Sequence, residues 1–112
     1  MDERLTITVP VAKVLAALLS EPTTDRYGLD LMKAAGLRSG TLYPILVRLE
    51  RAGWLQARWE DVDPVRAGRP ARRYYRLTAD GVTRARSELA ELHAQTRPAN
   101  LNTPAVALRS AW

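Results

Sequence analysis

No cysteine occurs in the 112 residues of this chain, which excludes disulfide staples and thiolate metal sites. His93 is the one histidine, and a single imidazole cannot make a metal site by itself. The same scarcity argues against an enzyme. Covalent catalysis pairs a nucleophile with a base, and acid–base catalysis converges two groups of opposite duty. Glu60, Asp61 and Asp63 cluster beside a strand end, but within a charged turn. Such a cluster either holds a divalent cation or orients the turn and balances its arginines. The expectation is a non-enzyme with no cofactor. No apolar run approaches the roughly 20 residues of a membrane span, and the first residues lack the basic-then-apolar layout of a secretory signal. A cytoplasmic protein with no membrane partner is expected. Lysine is scarce too, 2 against 15 arginines, and arginine is the cation that clamps phosphate or guanine with two parallel hydrogen bonds.

The positive charge that is present is concentrated. The net charge is +5. Residues 38–76 hold nine arginines, at 38, 48, 51, 58, 66, 69, 72, 73 and 76, against the four acids Glu50, Glu60, Asp61 and Asp63. Elsewhere eight basic residues meet eight acidic ones, so the entire excess lies in that stretch. An even spread would serve solubility; this placement suggests a surface that faces a polyanion.

The stretch has two parts. From Ser39 to Trp54, Leu42, Ile45, Leu46 and Leu49 recur at helical spacing and form a buried stripe. Thr41, Pro44, Arg48 and Arg51 fall on the opposite side, with groups that reach phosphates and base edges. Ser39 is placed to cap this helix and Gly53 to end it. Pro44 lies beyond the first turn, where proline is free, so it should bend the helix start or leave a carbonyl open. Next, residues 54–60 alternate, with Leu55, Ala57 and Trp59 inward. Residues 72–77 return, with Tyr75 and Leu77 inward and Arg72, Tyr74 and Arg76 outward. The two strands enclose a Gly- and Pro-shaped tip over 61–70, longer than an ordinary hairpin loop and bearing Arg66 and Arg69. A helix with a polar outer face followed by a basic hairpin is the layout of a winged helix-turn-helix.

The flanking elements fit. Val11, Val14, Leu15, Leu18 and Leu19 mark a helix over 9–20, entered through Pro10. Residues 1–8 read as an extended lead-in or a small strand, with Leu5 and Ile7 on one side. Thr24 or Asp25 is placed to cap a second helix over 25–35, which Gly36 closes, and residues 36–39 make a turn of the length found in a helix-turn-helix. Thr78 caps a last long helix, with Asp80 near its N-terminus. Its Val82, Ala85, Leu89 and Leu92 follow 3-4-3 spacing, the seam of paired helices, and suggest a homodimer interface. Residues 97–102 read as linker, and 104–112 as a short apolar helix that packs on a partner subunit or plugs the local core. The expected fold class is mainly α with a small β-hairpin (α+β). A winged helix-turn-helix DNA-binding domain spans 1–78, and a C-terminal dimerisation helix and tail span 79–112, in one compact unit. Trp54, Trp59 and Trp112 either line a flat-ligand site or serve core and interface.

The runs Tyr27-Gly-Leu-Asp-Leu31, Ser39-Gly-Thr-Leu-Tyr-Pro44, Arg48-Leu-Glu50, Gly68-Arg-Pro70 and Arg73-Tyr-Tyr-Arg-Leu-Thr78, with Leu46, Gly53 and Gly81, stand in order over residues 11–95. They resemble the PadR-family transcriptional regulators. The resemblance implies a dimeric winged-helix repressor that binds double-stranded DNA. It implies DNA contacts near Ser39, Thr41, Tyr43, Pro44 and Arg48, and wing contacts near Arg66, Arg69 and Arg72. Arg38, in the same basic stretch, joins this set. Two departures stand out: a shorter turn before residue 39, and a C-terminal part reduced to one helix and a tail, where many relatives sense small molecules. A small-molecule effector therefore stays open. The alternative reading is a winged helix that bends DNA architecturally or binds protein.

Overall fold

The computed structural model describes residues 5–98. The first helix, α1 (Val9–Ser20), takes its predicted bounds. Thr8 caps it by accepting from the Val11 amide at 3.4 Å, and Pro10 occupies its first turn, where the missing N–H costs nothing. Val11, Val14, Leu15 and Leu18 are buried. Leu5 and Ile7 of the lead-in pack against the core without forming a strand.

The second helix starts later than its sequence pattern suggests. Arg26–Tyr27 form a short strand, β1, and α2 runs only over Gly28–Ala35. Neither Thr24 nor Asp25 caps it; Tyr27 is the flanking residue. The reason is tertiary. β1 pairs antiparallel with a later strand, Arg26 opposite Tyr75 and Tyr27 opposite Tyr74. The Arg26 side chain is 6 % exposed, and its guanidinium donates to the Ala17 carbonyl at 2.8 Å and to the Asp30 carboxylate. Extending the helix by three residues would forfeit both ladder and clamp. At the other end Gly36 takes the left-handed conformation, φ 67°, and returns its amide to the Met32 carbonyl, the C-terminal closure that glycine favours.

A tight turn leads into α3 (Ser39–Arg51). Arg38 is the flanking residue here, so Ser39 is the first helical residue and not a cap. Leu42, Ile45, Leu46 and Leu49 are buried as the spacing predicts. With Leu15, Leu18, Leu31, Trp54, Leu55, Tyr75 and Leu77 they form one core. Pro44 is the sixth residue of α3. Its ring nitrogen cannot donate to the Gly40 carbonyl, and both residues are exposed, so water can satisfy that oxygen.

β2 (Leu55–Trp59) and β3 (Arg73–Leu77) pair in the register Leu55 opposite Leu77 to Trp59 opposite Arg73. With β1 they make a three-stranded antiparallel sheet in the order β1-β3-β2, one strand more than the expected hairpin. Leu55, Tyr75 and Leu77 face the core as predicted. Trp59 does not: it is 62 % exposed at the far end of β2, with the Arg73 guanidinium 5.0 Å over its ring. The core ends before the strand does, and stacking under a cation replaces burial. The hairpin tip contains a single helical turn, α4 (Pro64–Ala67), started by Asp63 and closed by Gly68 at φ 68°.

Thr78 opens α5 (Ala79–Thr96), accepting from the Gly81 amide at 2.9 Å and donating to the Gly53 carbonyl at 2.8 Å. A β-carbon on Gly81 would overlap the Trp54 carbonyl, so the helix start rests directly on that backbone. Of the proposed seam, Ala85 is fully buried in the chain's own core and is not free for a partner. Val82 and Leu89 also pack on that core from its edge, and Leu92 is half-buried. The apolar stripe of α5 is thus used largely within the subunit because α1 lies against it. The expected helix over 104–112 lies outside the described residues.

Candidate nucleic-acid interface

Burying one face of α3 turns the other outward. Ser39, Gly40, Thr41, Tyr43, Pro44, Val47, Arg48 and Arg51 are all exposed, as is Arg38 just before them. Among the described residues Arg38, Arg48 and Arg51 make no ion pair. Their charge is therefore uncompensated on a surface that also carries the hydroxyl of Thr41. Tyr43 is only 41 % exposed because its ring leans on Gly28 of α2.

The wing arginines are differently placed. Arg69, expected on DNA, is folded back onto Glu60, its two terminal nitrogens reaching the two carboxylate oxygens at 2.7 and 3.1 Å. Arg72 lies over the Tyr27 ring at 4.8 Å, and its amide also donates to Glu60, at 3.2 Å. Arg66 is 91 % exposed on α4, with Asp63 at 3.9 Å. Arg73 reaches Glu50 of α3 at 3.4 Å, joining the wing to the end of that helix. On the open face of the sheet, Arg58 and Arg76 converge on the two oxygens of Asp25, and the Arg58 guanidinium also sits 5.4 Å over Tyr74. Of the nine arginines that carry the positive excess, 58, 66, 69, 73 and 76 thus have an acidic neighbour. Of the nine, Arg38, Arg48, Arg51 and Arg72 make no ion pair among the described residues, and Arg72 still lies near enough to Glu60 to help lower its pKa.

These pairs show in the carboxylates. The Arg69 fork, helped by the Arg72 amide, lowers the Glu60 pKa to about 2 against the opposing effect of burial. Arg58, and then Arg76, hold Asp25 below its ordinary value. Burial pushes the Tyr75 hydroxyl up. The acids of the turn are divided in their work: Glu60 accepts from Arg69 and the Arg72 amide, and Asp63 caps α4 through the Val65 amide at 3.0 Å. Among the described residues no group of three or more potential ligands could hold a metal ion, and no helix is long and apolar enough to cross a membrane. Trp54 is buried, Trp59 is exposed under Arg73, and Trp112 lies outside the described residues.

Sequence reasoning missed the roles of Asp25 and Arg26, while one of its two readings of the acidic turn, as balancing the turn's arginines, is what Glu60 does. Glu60 had a partial signal in its position beside the arginine-rich turn. Asp25 had none, since its partners lie 33 and 51 residues away.

A sequence model described as the transcriptional regulator PadR-like family matches residues 14–87. Among solved structures, a PadR-like transcription factor from Bacteroides fragilis is 33 % identical, with a TM-score of 0.53, covering 76 % of this chain and 77 % of that one. A Streptococcus mutans protein is 26 % identical, with a TM-score of 0.60, over 83 % and 86 %. AbfR of Staphylococcus epidermidis, whose overoxidized form is solved bound to DNA, shares the fold at 23 % identity and a TM-score of 0.63, over 94 % and 71 %. A search of curated proteins finds no match.

Proposed function

Because the chain belongs to the PadR-like family of transcriptional regulators, we propose that it is a repressor that binds double-stranded DNA as a homodimer and occludes a promoter. The observation that carries this reading is the exposed set Arg38, Thr41, Arg48 and Arg51 on and before α3, whose arginines make no ion pair among the described residues. A helix of this width fits the major groove, where arginine and threonine can reach base edges. Ser39, Tyr43 and Pro44 share the exposed surface. Arg66 and Arg72 contact the backbone or the adjacent minor groove, and Arg69 serves from behind as a strut. A relative in fold is solved on DNA, which supports the partner class.

Residues 1–78 supply DNA binding and 79–112 supply pairing. Val82, Leu89 and Leu92 at the core's edge are the seam residues that remain for a partner, with Ala85 holding α5 to its own subunit. Two copies related by a two-fold axis would set two α3 helices about 34 Å apart on a pseudo-palindrome. Selection of bound duplexes from a random pool tests the reading. Enrichment of a palindrome with half-sites one helical turn apart is expected. Salt-sensitive binding without enrichment would replace a specific repressor by an architectural DNA-binding protein.

A further inference from the structure

The wing tip buries no apolar residue fully, and Val62 is its one half-buried aliphatic side chain. α4 buries no residue, Val65 is 88 % exposed and Arg66 91 % exposed. A tip of this length between two strands pays heavily in chain entropy to hold one shape. What it does have is Glu60, 16 % exposed at the mouth of the loop. Its carboxylate accepts from both terminal nitrogens of Arg69, from the Arg72 amide, and from the Tyr74 hydroxyl at 3.5 Å. Its own amide donates to the Arg72 carbonyl at 2.7 Å. A second brace runs from the Arg69 amide to the Pro64 carbonyl at 3.2 Å, so the residue that Glu60 grips also holds α4.

We propose that Glu60 is a positioning residue for nucleic-acid binding: by gripping Arg69 and Arg72 it fixes the loop so that Val65, Arg66 and Arg72 are displayed in one arrangement. This rests on the DNA-binding reading above. It makes a demand opposite to that of charge alone. Glu60 is an acid in the most basic part of the chain, and removing it adds one positive charge, which by simple attraction tightens binding to DNA. If Glu60 orders the wing, removing it weakens binding, because the displayed groups must then be ordered as the complex forms.

The test uses the full chain, a duplex recovered from the random pool, fluorescence anisotropy at several salt concentrations, and amide hydrogen exchange without DNA. In Glu60→Gln, amides of residues 61–72 should exchange faster. Binding should weaken roughly tenfold, the scale of one charge-assisted hydrogen bond. The salt slope should fall by about 0.9 for each phosphate that the wing no longer neutralises, while preference for the selected over a scrambled duplex persists because α3 is untouched. Arg69→Lys keeps the charge and removes the fork; it should reproduce the pattern and stands in if Glu60→Gln does not fold. Unchanged or tighter binding by Glu60→Gln, or wild-type binding by Arg69→Lys, overturns the proposal. If the wild-type chain binds no duplex, the DNA-binding reading itself fails. Unaltered exchange over 61–72 refutes the bracing role in either case.

Discussion

The ring of Tyr43, on the outward side of α3, lies so close to Gly28 at the start of α2 that a β-carbon on that glycine would overlap the tyrosine hydroxyl. The contact ties the helix proposed to read DNA to the helix that supports it. Glycine is required there for closeness, since its φ is not positive.

Gly28→Ala should therefore push Tyr43 aside and cost about 1–3 kcal/mol, the range for overpacking. In a Tyr43→Ala background the obstacle is gone, and the same change should be neutral or stabilising by up to about 1 kcal/mol, because alanine is the better helix former. Urea unfolding of the four proteins checks this. Additive costs would mean that the two residues do not meet.

Pro44→Ala restores an N–H aimed at the Gly40 carbonyl within α3. Stability should rise by about 1–2 kcal/mol, part of what an interior proline costs. A chemical denaturation midpoint that does not move would show that the open carbonyl is fully compensated.

Arg26 is a buried cation clamped to the end of α1. Arg26→Met keeps the aliphatic stem and leaves the Ala17 carbonyl without this donor. The Ser20 hydroxyl still donates to that carbonyl, so the expected loss of about 2 kcal/mol comes from the charge-assisted hydrogen bonds to Ala17 and Asp30 that disappear, with the thermal midpoint as the measurement.

Glu60 sets a pH dependence. Its folded pKa, about 2, lies below its ordinary 4.5. Its stabilisation is complete above the ordinary value and is lost as the pH falls from about 4.5 toward 2. The melting-temperature gap between wild type and Glu60→Gln should be full near pH 6 and close across that window. Asp25 is shifted in the same direction, so Asp25→Asn should behave alike. A gap that is constant with pH would contradict the assignment.

Arg48 and Arg72 should separate base reading from backbone contact. Arg48→Gln is expected to cost about 1–3 kcal/mol and relax sequence preference, whereas Arg72→Gln should weaken all duplexes alike and lower the salt slope by about 1. Equal losses of preference would place both on bases.

The sequence by itself determined α1, α3 and α5 and the buried face of α3. Leu42, Ile45, Leu46 and Leu49 fall inward because a 3.6-residue period is local, and Gly36 and Thr78 close helix ends through neighbours three or four residues away. It also placed Tyr75 and Leu77 correctly through strand alternation. Where alternation outran the core, at Trp59, it failed. It could not show β1, because two residues carry no period and Arg26–Tyr27 become a strand only when β3 arrives beside them. It placed the positive excess in residues 38–76 but could not say which arginines were free. Asp25 lies outside that stretch in sequence, yet the fold carries it to Arg58 and Arg76, while Glu60 turns Arg69 inward. Charge is additive along a chain, but its neutralisation depends on distance in space. Only the tertiary structure decided that, of the nine arginines in 38–76, those without an ion pair among the described residues are Arg38, Arg48, Arg51 and Arg72.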